Sequence, residues 1–94
     1  MPLREVASDD RQIPQVSKNI GDLCYKNGRF DDAWDAYQRA VKMAPELGDD
    51  VWFKLGNIAF KRNEKDRAVA LWKTALGINP HHEQARVNVA GLAK

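Results

Sequence analysis

Residues 52–80 read Trp52-x-x-Leu55-Gly56-x-x-Ala59, then Ala68-x-x-x-Trp72-x-x-Ala75, then Pro80. The same residue types stand earlier in the chain at one constant distance. Gly21 precedes Gly56, Ala33 precedes Ala68, Tyr37 precedes Trp72, Ala40 precedes Ala75 and Pro45 precedes Pro80, each by 35 positions. A fixed period of this size indicates stacked supersecondary units rather than one globular core. It turns the search for function from a cleft to a surface.

Within each copy the apolar spacing is helical. Trp52, Leu55 and Ala59 fall at i, i+3 and i+7, one stripe of an α-helix, and Phe30, Ala33, Trp34, Tyr37, Ala40 and Val41 form a second. Asn27-Gly28 and Arg62-Asn63 punctuate the middle of each copy, which suits a short turn between antiparallel helices. Asp31 and Asp32 in one copy, and Asp66 in the other, place carboxylates in the first turn of the second helix. Pro45 and Pro80 stop each second helix. Five helices are expected, over 14–27, 30–43, 49–62, 65–77 and 82–93.

These residues resemble the tetratricopeptide repeat, a helix–turn–helix of 34 residues. The second copy departs from the pattern at Ala59, where Tyr is usual, and at Trp72, where Phe or Tyr is commoner. The first copy has Ser17 in place of the Trp, Ile20 for Leu and Cys24 for Tyr, while Gly28, Phe30, Ala33, Tyr37, Ala40 and Pro45 follow the pattern. One residue inserted near Gly48 lengthens the period to 35. The resemblance implies an all-α fold, with antiparallel helix–turn–helix units in a short right-handed α-solenoid. The domain organisation expected is a flexible tail or linker over 1–12 and a repeat domain over 13–94. Repeat one covers 14–47, repeat two 49–82, and a capping helix 83–94. On this reading Gly21/Gly56 and Ala33/Ala68 occupy the close helix crossing, and Tyr37/Trp72 and Ala40/Ala75 bury against the next repeat.

Composition narrows the function classes. The chain has 94 residues, 44% hydrophobic and 30% charged, as an ordinary globular domain does. No apolar run has the length of a membrane span, and Met1–Val6 lacks the apolar stretch of a signal peptide. A cytoplasmic protein without membrane insertion is therefore expected. Net charge is +2, with seven basic and eight acidic groups in residues 1–48 and eight and five in residues 49–94. The cations Lys61, Arg62, Lys65 and Arg67 are interrupted by Glu64 and Asp66, which reads as a solvated turn and not as a nucleic-acid surface. Cys24 is the single cysteine and is expected to be a buried, inert thiol. His81 and His82 are adjacent at the start of the last helix, where one is expected to cap it or to pack in the junction. No catalytic set, phosphate loop or spaced metal-ligand cluster is present in the sequence, so no enzyme activity, cofactor or metal is expected.

The resemblance implies that the first helix of each unit lines a concave groove. The positions facing that groove are Gln15, Lys18, Asp22 and Tyr25, then Asp50, Phe53, Asn57 and Phe60, with Gln84, Val87 and Gly91 from the last helix. The expected partner-binding set is Lys18, Asp22, Tyr25, Phe53, Asn57, Phe60, Gln84 and Val87. Phe53 and Phe60 are seven apart and share a face, flanking an amide, as apolar anchors of a peptide site would. The family's carboxylate-clamp pattern fits poorly. Lys18 matches, but Asp22 replaces an Asn, Lys54 stands at the next Asn position, and Gln84 and Asn88 replace the last cations. The expected function is a protein–protein interaction module binding a peptide or helix. The alternatives are self-association through the C-terminal helix, where Val89, Leu92 and Ala93 form an apolar strip, and a regulatory part of a larger enzyme or secretion machine.

Overall fold

The turns inside the two repeats are the same turn made twice. A computed structural model describes residues 13–46 and 48–92. It contains α1 (Pro14–Lys26), α2 (Phe30–Met43), α3 (Asp49–Lys61), α4 (Lys65–Ile78) and α5 (Glu83–Leu92). Between α1 and α2, Gly28 has φ +78°, and between α3 and α4 its equivalent Asn63 has φ +64°. Glycine and asparagine are the residues that enter this left-handed region most readily. Each turn closes with the same pair of backbone bonds. Arg29 N–H donates to Cys24 O (2.8 Å) and Gly28 N–H to Tyr25 O (3.1 Å), and Glu64 N–H donates to Ala59 O (3.0 Å) and Asn63 N–H to Phe60 O (3.0 Å). This is the Schellman arrangement, which satisfies carbonyls that a helix end leaves open.

All five expected helices are present, and their described ends fall within one residue of expectation. Pro14 occupies the first turn of α1, where its missing N–H costs nothing. Acidic residues stand in the first turns of α2, α3 and α4, and lysines in the last turns of α1, α2 and α3, matching the helix dipole. The expected tail over 1–12, together with Ala93 and Lys94, lies outside the described residues.

The chain divides into two units, residues 1–47 and 48–94. In the first, α1 packs on α2; in the second, α3 packs on α4 and α4 on α5. Alanines carry these contacts: Ala33, Ala36, Ala40, Ala59, Ala68, Ala75 and Ala85 are fully buried. Each crossing is fitted by a ring laid on a glycine. A Cβ on Gly21 would stand 2.5 Å from Tyr37 Cδ1, and one on Gly56 would stand 2.5 Å from Trp72 Cδ1. The expectation had named only the next repeat as the neighbour of these aromatics; this contact lies within the repeat. Both rings lie on the first helix of their own repeat, where the glycine leaves them room.

One further expectation changes: Cys24 is half-buried, not buried. Ile20, standing at a Leu position of the repeat, is 45% exposed.

The polar tip of each ring is also held. Tyr37 Oη donates to Asp22 Oδ1, whose other oxygen accepts from Lys18 Nζ at 3.1 Å. Thirty-five residues later the roles recur: Trp72 Nε1–H is shared between Asn57 Oδ1 and Phe53 O, each at 3.2 Å. A tyrosine hydroxyl thus meets a carboxylate and an indole meets an amide. Tyr37→Phe removes one hydrogen bond to a charged acceptor. Asp22 keeps Lys18 and is one-third exposed, so the expected loss is about 1–2 kcal/mol. Urea unfolding measures it, and an unchanged midpoint would show that the hydroxyl contributes nothing.

Candidate functional site

The expected site residues fall into two groups, one in each unit. In the first unit, Lys18 and Asp22 form an i, i+4 ion pair that Tyr37 joins, so Asp22 serves the interior of its repeat. Tyr25 is half-buried and meets Phe30 edge-on, with ring centroids 5.4 Å apart and planes at 81°.

In the second unit, α3 presents Phe53, Asn57 and Phe60 at the helical spacing that puts them on one side. Asn57 is half-buried, and the indole of Trp72 fixes its orientation, since only the amide oxygen can accept the N–H. Phe60 is 43% exposed and leans on Trp72 with centroids 6.0 Å apart. Phe53 is half-buried and stacks on His82, centroids 4.6 Å apart and planes tilted by 37°. Gln84 and Val87 lie on the exposed side of α5, Val87 at 60%. Among the described residues, no ring contact or side-chain hydrogen bond joins Gln84 or Val87 to the α3 set.

His82 is the residue whose setting sequence reasoning missed. Its Nδ1 accepts the Ala85 N–H at 3.2 Å and so caps α5, as expected of one of the two histidines. The unexpected part is the far edge of the ring. Nε2 lies 3.7 Å from Asp49 Oδ2 and 3.6 Å from Asp50 Oδ1, while the Asn79 amide donates to the same Asp49 oxygen at 3.0 Å. These three residues could bring ligand atoms within 4.8 Å of one another. The tautomer argues against a metal there. With Nδ1 accepting a backbone N–H, the neutral ring carries its proton on Nε2, whereas a metal bound at Nε2 needs a lone pair there and a donor at Nδ1. The arrangement instead ties the start of α3 to the end of α4 and the cap of α5. Asp49 and His82 are 33 positions apart, so no local spacing pattern could have revealed it.

Comparison with known proteins is consistent with this architecture. A family model described as tetratricopeptide repeat matches residues 3–48 and again 18–83. A peroxisomal targeting signal receptor of Candida glabrata is 31% identical over 77 residues, which cover 82% of this chain and 13% of that protein. A TPR repeat-containing protein of Methanocaldococcus jannaschii is 28% identical over 81 residues, covering 86% of this chain and 14% of that one. The chain therefore spans about one-seventh of the length of these relatives. The crystal structure of MamA matches with a TM-score of 0.79 at 21% identity, covering 87% of this chain and 47% of that one, and shows the fold alone. These findings support an all-α helical repeat and a protein–protein interaction module, of a family that is generally non-catalytic. No helix among the described residues is long and apolar enough to cross a membrane. The repeated ring-on-glycine crossings, the repeated turns and the family match across both copies have one reading: the chain belongs to the tetratricopeptide repeat family.

Proposed function

We propose that this chain binds a short segment of a partner protein along the groove-facing side of its first helices, with Phe53 and Phe60 of α3 as the apolar anchors. The observation that carries the reading is Phe60, a large aromatic left 43% exposed. Interface anchors are aromatic far more often than the rest of a surface is. Phe53 is held in place by His82 and therefore loses little freedom on binding. In the first unit Lys18 and Tyr25 are the charge and the ring on the corresponding helix, and in the second Gln84 and Val87 lie on the exposed side of α5. Asn57 and Asp22 take a supporting part, holding the rings behind the face. A relative named as a targeting signal receptor is consistent with a short linear segment as the ligand.

The test is capture of partners from native extract by the parent and by Phe60→Ala. Phe60 is exposed, so the variant should keep the parent's helicity, and loss of a central anchor weakens binding by about 2 kcal/mol. Lys73→Ala, exposed on α4 and outside the proposed set, is the matched control. Partners retained equally by parent and Phe60→Ala would place the binding surface elsewhere. Asn57 variants are unsuitable for this purpose, since they also release Trp72.

A further inference from the structure

Asn27-Gly28 is the one place in the chain where asparagine precedes glycine. The other five asparagines, Asn19, Asn57, Asn63, Asn79 and Asn88, stand before Ile20, Ile58, Glu64, Pro80 and Val89. The distinction is chemical. The backbone nitrogen of the following residue can attack the amide carbon of an asparagine side chain, and glycine, lacking a Cβ, obstructs that approach least. The turn itself does not call for asparagine. Asn27 ends α1 with φ −89° and ψ 5°, and Arg62 ends α3 with φ −87° and ψ 8°, the same backbone on a different side chain. Asn27 and Gly28 are both exposed.

We propose that Asn27 is a site of spontaneous deamidation gated by this turn, protected while α1 and α2 form their hairpin and reactive when the hairpin opens. The reaction begins by joining Gly28 N to Asn27 Cγ. With Asn27 ψ at 5°, Gly28 N lies alongside the backbone nitrogen of Asn27 and away from its Cβ. The ψ angle must therefore rotate by roughly a third of a turn before the two atoms meet. That rotation breaks the bonds that close the turn, Gly28 N–H to Tyr25 O (3.1 Å) and Arg29 N–H to Cys24 O (2.8 Å). The rate then follows local opening of the first hairpin. As the N–Cγ bond forms, the Cγ–Nδ2 bond breaks, and Nδ2 leaves as ammonia with the proton from Gly28 N. Water opens the resulting succinimide at either carbonyl, leaving aspartate or isoaspartate at position 27. Aspartate sets a negative charge at the C-terminal end of α1, against the helix dipole. Isoaspartate inserts a methylene into the main chain ahead of Gly28, so the two N–H groups no longer reach Tyr25 O and Cys24 O together. A transient opening thus becomes a permanent one. Phe53 and Phe60 take no part, so the outcome is independent of the peptide reading.

The experiment incubates the full 94-residue chain at mildly alkaline pH and maps its peptides by mass spectrometry, with electron-transfer fragmentation to tell isoaspartate from aspartate. Its arms are native buffer, urea above the unfolding midpoint, Tyr37→Ala in native buffer, and Asn27→Arg, which copies the end of α3. In urea, Asn27 should convert faster than the other five asparagines. In native buffer its conversion should be at least about tenfold slower than in urea, since the turn must open first. Tyr37→Ala no longer lays a ring on Gly21 and should convert at close to the urea rate. The purified isoaspartate form should lose helical signal at a lower urea concentration than fresh chain, whereas Asn27→Arg should unfold alike before and after incubation. Equal rates for Asn27 in buffer and in urea would overturn the proposal. So would a Tyr37→Ala rate as slow as the parent's, or an isoaspartate form that unfolds with the fresh chain.

Discussion

Trp72→Ala is expected to cost about 3–5 kcal/mol, the range for truncating a buried aromatic. The ring is 3% exposed, and its removal leaves a void against Gly56, which has no side chain to fill it. The same change leaves Asn57 Oδ1 without its indole donor. A small natural domain is stable by roughly 5–15 kcal/mol in all, so this one substitution should remove a large share of the stability. Urea unfolding followed by helical circular dichroism gives the number. A variant that unfolds within a few tenths of a kcal/mol of the parent would mean that the ring is not seated between α3 and α4.

Gly56→Ala should destabilise by about 1–3 kcal/mol, although alanine is the better helix former by up to about 1 kcal/mol. The new methyl would stand 2.5 Å from two atoms of the indole five-membered ring, closer than side-chain contacts allow. The diagnostic is the change of sign in a double-mutant cycle. In the Trp72→Ala background the methyl enters vacated space, so Gly56→Ala should become neutral or stabilising. Destabilisation of equal size in both backgrounds would mean that the glycine is needed for a reason unrelated to the ring. The same cycle on Gly21 and Tyr37 tests the first repeat.

How far the sequence could be read depended on the range of the chemistry involved. The helices and turns were legible because their causes are local: Pro45 and Pro80 end helices by what they lack, and Gly28 and Asn63 accept a backbone that other residues resist. The glycine positions were legible as close crossings, yet the ring that lies on each was not, since a periodic pattern gives the apolar side of a helix without naming its neighbour. Asp22 and Asn57 read as solvent-facing polar residues; only the crossing shows that each receives the polar tip of a ring fifteen residues later. Ile20 and Cys24 show the converse limit. Their side chains suit burial, but burial also requires a second helix, which no residue on α1 can supply. His82 was legible as a cap from its place before Glu83, whereas its neighbours Asp49 and Asp50 depend on the packing of a whole repeat.

The turn shared by the two repeats has a consequence for how the chain acquires its structure. Tyr37 bonds a residue fifteen positions upstream, and Trp72 does the same. Contact order is therefore low, and loop closure over so short a span has a small entropic cost. A helical hairpin of this kind can form on the microsecond-to-millisecond scale, whereas translation adds roughly 5–20 residues per second. During synthesis the first hairpin can thus close once Ala44 has left the ribosome, seconds before Trp72 follows it out. An error in the second repeat would then be met by a first repeat that is already folded, which confines misfolding to the younger part of the chain.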